Sequence, residues 1–149
     1  MTALIKLELK MKDIEMLFQE ASQVRLNAYA PYSNFLVGCC IETINGNLFT
    51  GCNVENASYG ISVCAEANAI AAMIAAGDKK ISQVVIVVKG PGVSASCGAC
   101  RQRLYEFSSP DTPIHLCDLE GTRQQFTLKQ LFPHAFGPQD LCYNKLTTL

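Results

Sequence analysis

Ile14, Leu17, Phe18 and Ala21 recur at helical spacing until Pro31 interrupts the pattern near "YAPYS", which predicts an amphipathic surface helix. "FLVGCCIET" and "NLFTGCNVE" then flank Asn45 and Gly46, a pair suited to the positive backbone angles of a tight turn. Two antiparallel strands joined as a hairpin are expected there. Residues 63–76 are apolar almost all round and run into Gly77, so a helix buried in the core and closed by a glycine cap should follow. "QVVIVVK" lacks polar alternation and reads as a strand covered on both faces. The loop "GPGVSAS" leads into "CGACRQRLYEF", where Cys100, Leu104 and Phe107 share one helical face. "PIHLCD" reads as a strand, Glu120 and Gly121 as a turn, "QFTL" as another strand, and 129–132 as a short helix stopped by Pro133. This alternation predicts an α/β sandwich whose mixed sheet carries helices on both faces.

A chain of 149 residues suffices for one sizeable core, so a single domain over 1–149 is expected. Its 12 basic residues against 13 acidic ones form no long block of either sign, which argues against a nucleic-acid or membrane surface. No apolar run approaches the roughly 18 residues of a membrane span. The opening "MTALIKLELKMKDIE" lacks the apolar block and cleavage site of a signal peptide, so a soluble, cytosolic protein is expected.

The eight cysteines change this bland picture. In a reducing compartment they favour free thiols, metal ligation or redox chemistry over disulfides. Cys39 and Cys40 are neighbours in a strand, face opposite sides of the sheet, and read as small core residues. Cys52, Cys117 and Cys142 take the same reading.

"VCAEANAI" raises a sharper question, because an ionised Glu66 inside a burial-driven helix needs a partner. Cys97 and Cys100 are three apart at the start of a helix, where free N–H groups and the helix dipole favour thiolates. A thioredoxin-like redox pair fits that spacing, and so does a structural zinc site completed by Cys52, Cys117, His115 or His134. Both leave Glu66 without a task. A catalytic zinc held by Cys64, Cys97 and Cys100, with its fourth position left for water, accounts for the acid as the group that moves the water's proton. Cys64 and Glu66 can serve one site only at a helix's first turn, so the helix should start close to Cys64.

"YAPYSNFLVG", "FTGCNVENASYG", "CAE", "CGACRQ" and "FGPQDL" occur in one order from Tyr29 to Leu141. In these blocks the chain resembles the cytidine deaminases of the three-cysteine, homotetrameric type. The zinc-deaminase signature they share is one whose chemistry is well known. The resemblance implies a three-layer α/β/α sandwich with a mixed five-stranded sheet. It implies a zinc ion on Cys64, Cys97 and Cys100, and attack of water on C4 of the pyrimidine with Glu66 as proton carrier. Cytidine, and 2′-deoxycytidine, would become uridine and ammonia in pyrimidine salvage.

The same resemblance assigns Asn53 and Glu55 to the ribose hydroxyls, a role their spacing permits because residues two apart in extended chain face one way. It places Phe35 beside the ligand and gives backbone roles to Ala65, at the base amide edge, and Ala95, which receives the amino group. Phe136 would reach in from a neighbouring subunit to cover the pyrimidine ring. A related deaminase of another aminated base or nucleoside analogue, a nucleoside-binding protein with structural zinc, and a thiol oxidoreductase are the competing readings. Three positions depart from the family pattern: Ala67 stands where an arginine is usual, and Ser96 and Gly60 stand where prolines are usual. Arg101, a neighbouring subunit's side chain, or the two helix N-termini are expected to replace the missing positive charge. His115 and His134 read as ordinary strand and loop residues.

Overall fold

The computed structural model describes residues 11–90, 94–121 and 123–141. The core reading of Cys142, the middle of the loop "GPGVSAS" and most of the opening stretch lie outside the described residues.

The hairpin is present as β1 (Val37–Thr43) and β2 (Leu48–Cys52), with Cys40 opposite Thr50. Its turn uses one positive backbone angle rather than two. Gly46 has φ 77° and returns its N–H to the Thr43 carbonyl at 2.9 Å, while among the described residues Asn34 is the one non-glycine with positive φ. Glycine takes the left-handed position without steric cost, and Asn45 is spared it. Asp78 closes this end of the hairpin, accepting hydrogen bonds from the Thr43 hydroxyl at 2.8 Å and the Asn45 and Asn47 amides at 2.6 and 2.9 Å.

β3 (Ile81–Val88) pairs antiparallel with β1 and parallel with β4 (Pro113–Cys117), and β5 (Arg123–Thr127) pairs antiparallel with β4, giving the order β2-β1-β3-β4-β5. Parallel neighbours need a crossover, which α3 (Gly98–Phe107) supplies between β3 and β4. α2 (Ala65–Ala75) carries the chain from β2 past β1 to β3. Both lie on the sheet face that buries Cys39, Ile41, Ile86 and Leu104. α1 (Ile14–Arg25) covers the opposite face, where Leu17 and Ala21 pack on Cys40, Val85, Val87 and Cys117. The adjacent cysteines of β1 thus enter different cores, both fully buried. A single turn, α4 (Leu128–Leu131), closed by a reciprocal Thr127–Gln130 cap, ends the described helices. This is the three-layer sandwich with a mixed five-stranded sheet expected from sequence. Among the described residues no helix is long and apolar enough to cross a membrane.

Two glycines let the helices approach the sheet. A Cβ on Gly38 would run into the Ala21 carbonyl of α1 and lie 2.7 Å from Arg25 Cβ. A Cβ on Gly51 would collide with the Ala65 carbonyl and Ala69 nitrogen of α2. α2 departs from expectation in one respect: only its inner face is buried. Ala71, Ala72, Ile74 and Ala75 are exposed, because no described element of this chain packs on that side.

Candidate active site

Cys64 and Cys97 occupy equivalent places. Each is the N-cap residue, in extended backbone, directly before α2 or α3, and neither side chain caps its own helix. Both sulfurs are therefore free to meet in front of two positive helix ends. Cys100 follows in the first turn of α3, fully buried, and the three Sγ atoms lie within 4.8 Å of one another, with Cys64 and Cys97 at 3.9 Å. Zinc at about 2.3 Å from each sulfur in a tetrahedron spaces the sulfurs roughly 3.8 Å apart. A contraction of about 1 Å at most would close the cluster on one ion. Among the described residues no other His, Cys, Asp or Glu joins the group, so one tetrahedral position stays open, as in catalytic zinc sites. His115 is half-buried on β4, its pKa lowered by burial and the Arg123 charge, and His134 is exposed; neither belongs to the cluster.

The helix does begin next to Cys64, and Glu66 sits in its first turn. The carboxylate is only 4% exposed and accepts a hydrogen bond from the Cys100 thiol, with Oε2 3.3 Å from Sγ. The buried acid therefore has its partner. The Cys64 thiol is lowered to about 6, chiefly by its pairing with the Cys100 sulfur, with Cys97 and the Arg103 charge adding, against burial and Glu66. Cys100 is raised by the same pairing with Cys64, by burial, and by the Glu66 carboxylate to which it donates its proton. Cys39, on the sheet below, is pushed well above its ordinary value by burial, then by Glu66 and Cys40, and stays a neutral thiol.

A cavity of about 320 Å³ opens beside the sulfurs. Phe35, Asn53, Glu55, Ala65 and Ala95, all expected to contact a substrate, line it together with Cys64, Glu66 and Cys97. Asn53 and Glu55 lie just past the end of β2, in extended chain where Val54 bridges to Tyr29 and Val63. Asn53 Oδ1 accepts the Val37 N–H at 2.8 Å, and its Nδ2 donates to the Phe35 carbonyl at 2.8 Å. Glu55 Oε1 accepts the Ser33 hydroxyl, and Oε2 accepts the Tyr32 and Ser33 N–H groups at 2.9 and 3.3 Å. These bonds, the Ser33 hydroxyl foremost, hold the Glu55 carboxyl below its usual range. Phe136 is not in the cavity of its own chain. It is 58% exposed, and its carbonyl accepts the Gln102 amide at 2.8 Å.

A family model described as the cytidine and deoxycytidylate deaminase zinc-binding region matches residues 11–116. The chain belongs to this family. The cytidine deaminase of Sporosarcina psychrophila is 36% identical over 131 residues, which are 88% of this chain and 96% of that protein. That of Halalkalibacterium halodurans is 38% identical over 87% of this chain and 98% of its own length. A crystal structure of cytidine deaminase from Burkholderia pseudomallei matches with a TM-score of 0.81 at 39% identity, covering 84% of this chain and 100% of that one. Its counterpart from Mycobacterium tuberculosis gives 0.74 at 36% identity, over 85% and 98% of the two chains.

Within this deaminase family the chain's own departures now have places. Arg101 does not serve the sulfurs: its Nε donates to the Ser96 carbonyl at 2.8 Å and its Nη1 to the Leu131 carbonyl at 2.7 Å. A guanidinium committed to two backbone acceptors braces the approach to Cys97 against the end of α4. Among the described residues, the two helix N-termini stand at the cluster and the Arg103 charge acts on Cys64. Gly60, in a single 3-10 turn at Tyr59–Ile61, has open space where a side chain would start. Ser33, Val37, Ile86, Val88 and Ser94 also line the cavity and were not singled out from sequence. The apolar three read as ordinary strand positions, and nothing in the spacing of "YAPYSNFLVG" distinguishes Ser33 from its neighbours.

Proposed function

We propose that the protein is a zinc-dependent cytidine deaminase that hydrolyses cytidine and 2′-deoxycytidine to uridine and ammonia. Its setting is pyrimidine salvage in the cytoplasm, as a homotetramer. The observation that carries this reading is Glu66, buried against a three-sulfur cluster with one position open, at the end of a nucleoside-sized cavity.

Cys64, Cys97 and Cys100 would hold a zinc ion, which would supply the positive charge that makes a water molecule a competent nucleophile near neutral pH. Glu66 takes the proton the attacking water gives up and delivers it to ring N3 as C4 is attacked, then takes the second proton from the new C4 hydroxyl and passes it to the amine, which leaves as ammonia while the C4 carbonyl forms. Its burial keeps bulk water from competing for that proton. Asn53 retains one N–H and one lone pair, and Glu55 Oε1 one lone pair, after the bonds above are counted. These remaining sites take the sugar hydroxyls. Phe35 packs beside the base, the Ala65 backbone meets its amide edge, and the Ala95 carbonyl receives the amino group.

The exposed apolar side chains support assembly with further copies of the chain. Tyr59, Ile61 and Phe136 are 73%, 64% and 58% exposed, and the outer face of α2 presents Ile74 among alanines that permit close helix approach. Phe136 of one copy then covers the pyrimidine ring in its neighbour, worth about 0.5–1.5 kcal/mol beyond area burial.

The test is the fall in absorbance as cytidine becomes uridine, run beside a panel of other aminated nucleosides. Glu66→Gln should keep zinc and nucleoside binding while kcat falls by at least about 100-fold. A zinc-loaded wild type that binds cytidine without converting any member of the panel would leave only a nucleoside-binding role. Disulfide reduction that is lost in Cys97→Ser and indifferent to chelators would instead make it a thiol oxidoreductase.

A further inference from the structure

We propose that Ser33 is a positioning residue for sugar recognition: its hydroxyl joins Phe35 and Glu55 into one unit and aims the free lone pair of Glu55 Oε1 at a ribose hydroxyl. This rests on the reading that Glu55 binds the sugar.

The Ser33 hydroxyl has one proton to give and gives it to Glu55 Oε1, while its oxygen accepts the Phe35 N–H at 3.0 Å. The other carboxylate oxygen, Oε2, takes the N–H groups of Tyr32 and of Ser33 itself. Asn34 makes this wrapping possible, since its φ of 55° reverses the chain directly after Ser33, and its own N–H is held by the Ala30 carbonyl at 3.0 Å. Asparagine is among the residues that tolerate this left-handed conformation best. Asn53 completes the arrangement by holding the Phe35 carbonyl. Both backbone polar groups of Phe35 are thus fixed by side chains on either side of the cavity, and one of those side chains also fixes Glu55.

Removal of the hydroxyl has two consequences. The Phe35 N–H loses its acceptor, and Oε1 is no longer held, so the carboxylate plane is set by Oε2 alone. The terminal carboxylate torsion is broad and roughly two-fold, so without the second anchor it spreads over orientations that miss the sugar. The reacting end of the cavity, at Glu66 and the sulfurs, makes no hydrogen bond to Ser33.

The experiment compares the dissociation constants of uridine and 2′,3′-dideoxyuridine for wild type, Ser33→Ala and Ser33→Thr by titration calorimetry, a readout that needs no turnover. Wild type should prefer uridine, Ser33→Ala should lose about tenfold of that preference through the uridine constant alone, and Ser33→Thr should keep it. With cytidine as substrate, Ser33→Ala should raise KM with kcat held within about twofold. If wild type prefers uridine and Ser33→Ala keeps the full preference, or weakens both ligands equally, the positioning role is wrong while the sugar reading stands. If wild type has no preference, the sugar role of Glu55 falls, and the role of Ser33 falls with it.

Discussion

Gly51→Ala places a methyl group where β2 and α2 touch. The new Cβ would lie 3.0 Å from the Asn68 carbonyl carbon and closer still to the Ala65 carbonyl oxygen and the Ala69 nitrogen. Contacts of this kind rest at about 3.5–4.0 Å, so α2 must withdraw by on the order of 1 Å. All three atoms belong to backbone, and no side-chain rotation relieves the clash. Overpacking of this sort costs about 1–3 kcal/mol, a fall in Tm of roughly 2–12 °C for a chain of this size. The larger consequence is for chemistry. Cys64 and Glu66 ride on the start of α2, whereas Cys97 and Cys100 ride on α3, so a shift of α2 separates the acid and one sulfur from the other two. A displacement of about 1 Å at reacting groups costs on the order of 100-fold. Thermal unfolding, zinc content and the cytidine absorbance assay on the same preparation measure the parts separately. A Tm that falls as expected while kcat/KM and zinc affinity stay within about twofold of wild type would refute the claim that Gly51 sets the position of the site.

Elemental analysis should find one zinc per chain. Chelation should abolish turnover and lower Tm, zinc should restore both, and Cys64→Ser, Cys97→Ser or Cys100→Ser should each weaken zinc by more than about 100-fold against a chromophoric chelator. Asp78 is held below the usual carboxylate range by Asn47, Thr43 and Asn45. The unfolded chain therefore takes up its proton first, and the stabilisation is complete above the unfolded value of about 3.9 and is lost as pH falls through the lower folded value. The stability advantage of wild type over Asp78→Asn in denaturant titrations should shrink on acidification, and an advantage that grows would contradict the assignment. If Phe136 acts on a neighbour, inactive Glu66→Gln and impaired Phe136→Ala chains, unfolded and refolded together, should regain activity above the sum of the separate proteins, whereas action within one chain predicts none.

Much of this protein was legible in contiguous residues. The hairpin around Gly46, the apolar strand Ile81–Val88 and the helix starting beside Cys64 follow from periodicity and local backbone preference, which act over a few residues. The three-sulfur cluster and the acid beside it were legible because few residue types bind zinc or move protons, and because their spacing fits helix starts. What a sequence pattern does not carry is distance between remote segments or the direction of a side chain with several plausible partners. Arg101 was one of three groups expected to supply the missing charge near the sulfurs, and it instead spends donors on the Ser96 and Leu131 carbonyls, acceptors that only the folded chain brings to it. The nearly all-apolar stretch of α2 was expected to be buried in the core, yet one face has no partner among the described residues, because hydrophobicity demands cover without specifying what provides it. Ser33 carried no signal, since its role depends on a carboxylate 22 residues away meeting the same turn. Residue chemistry along the chain determined that thiols suited to zinc and one acid within an apolar run were available. Folding alone determined that Cys64 and Cys97, 33 residues apart, come within reach of one ion, because only the packing of two helices on one sheet converts separation along a chain into proximity in space.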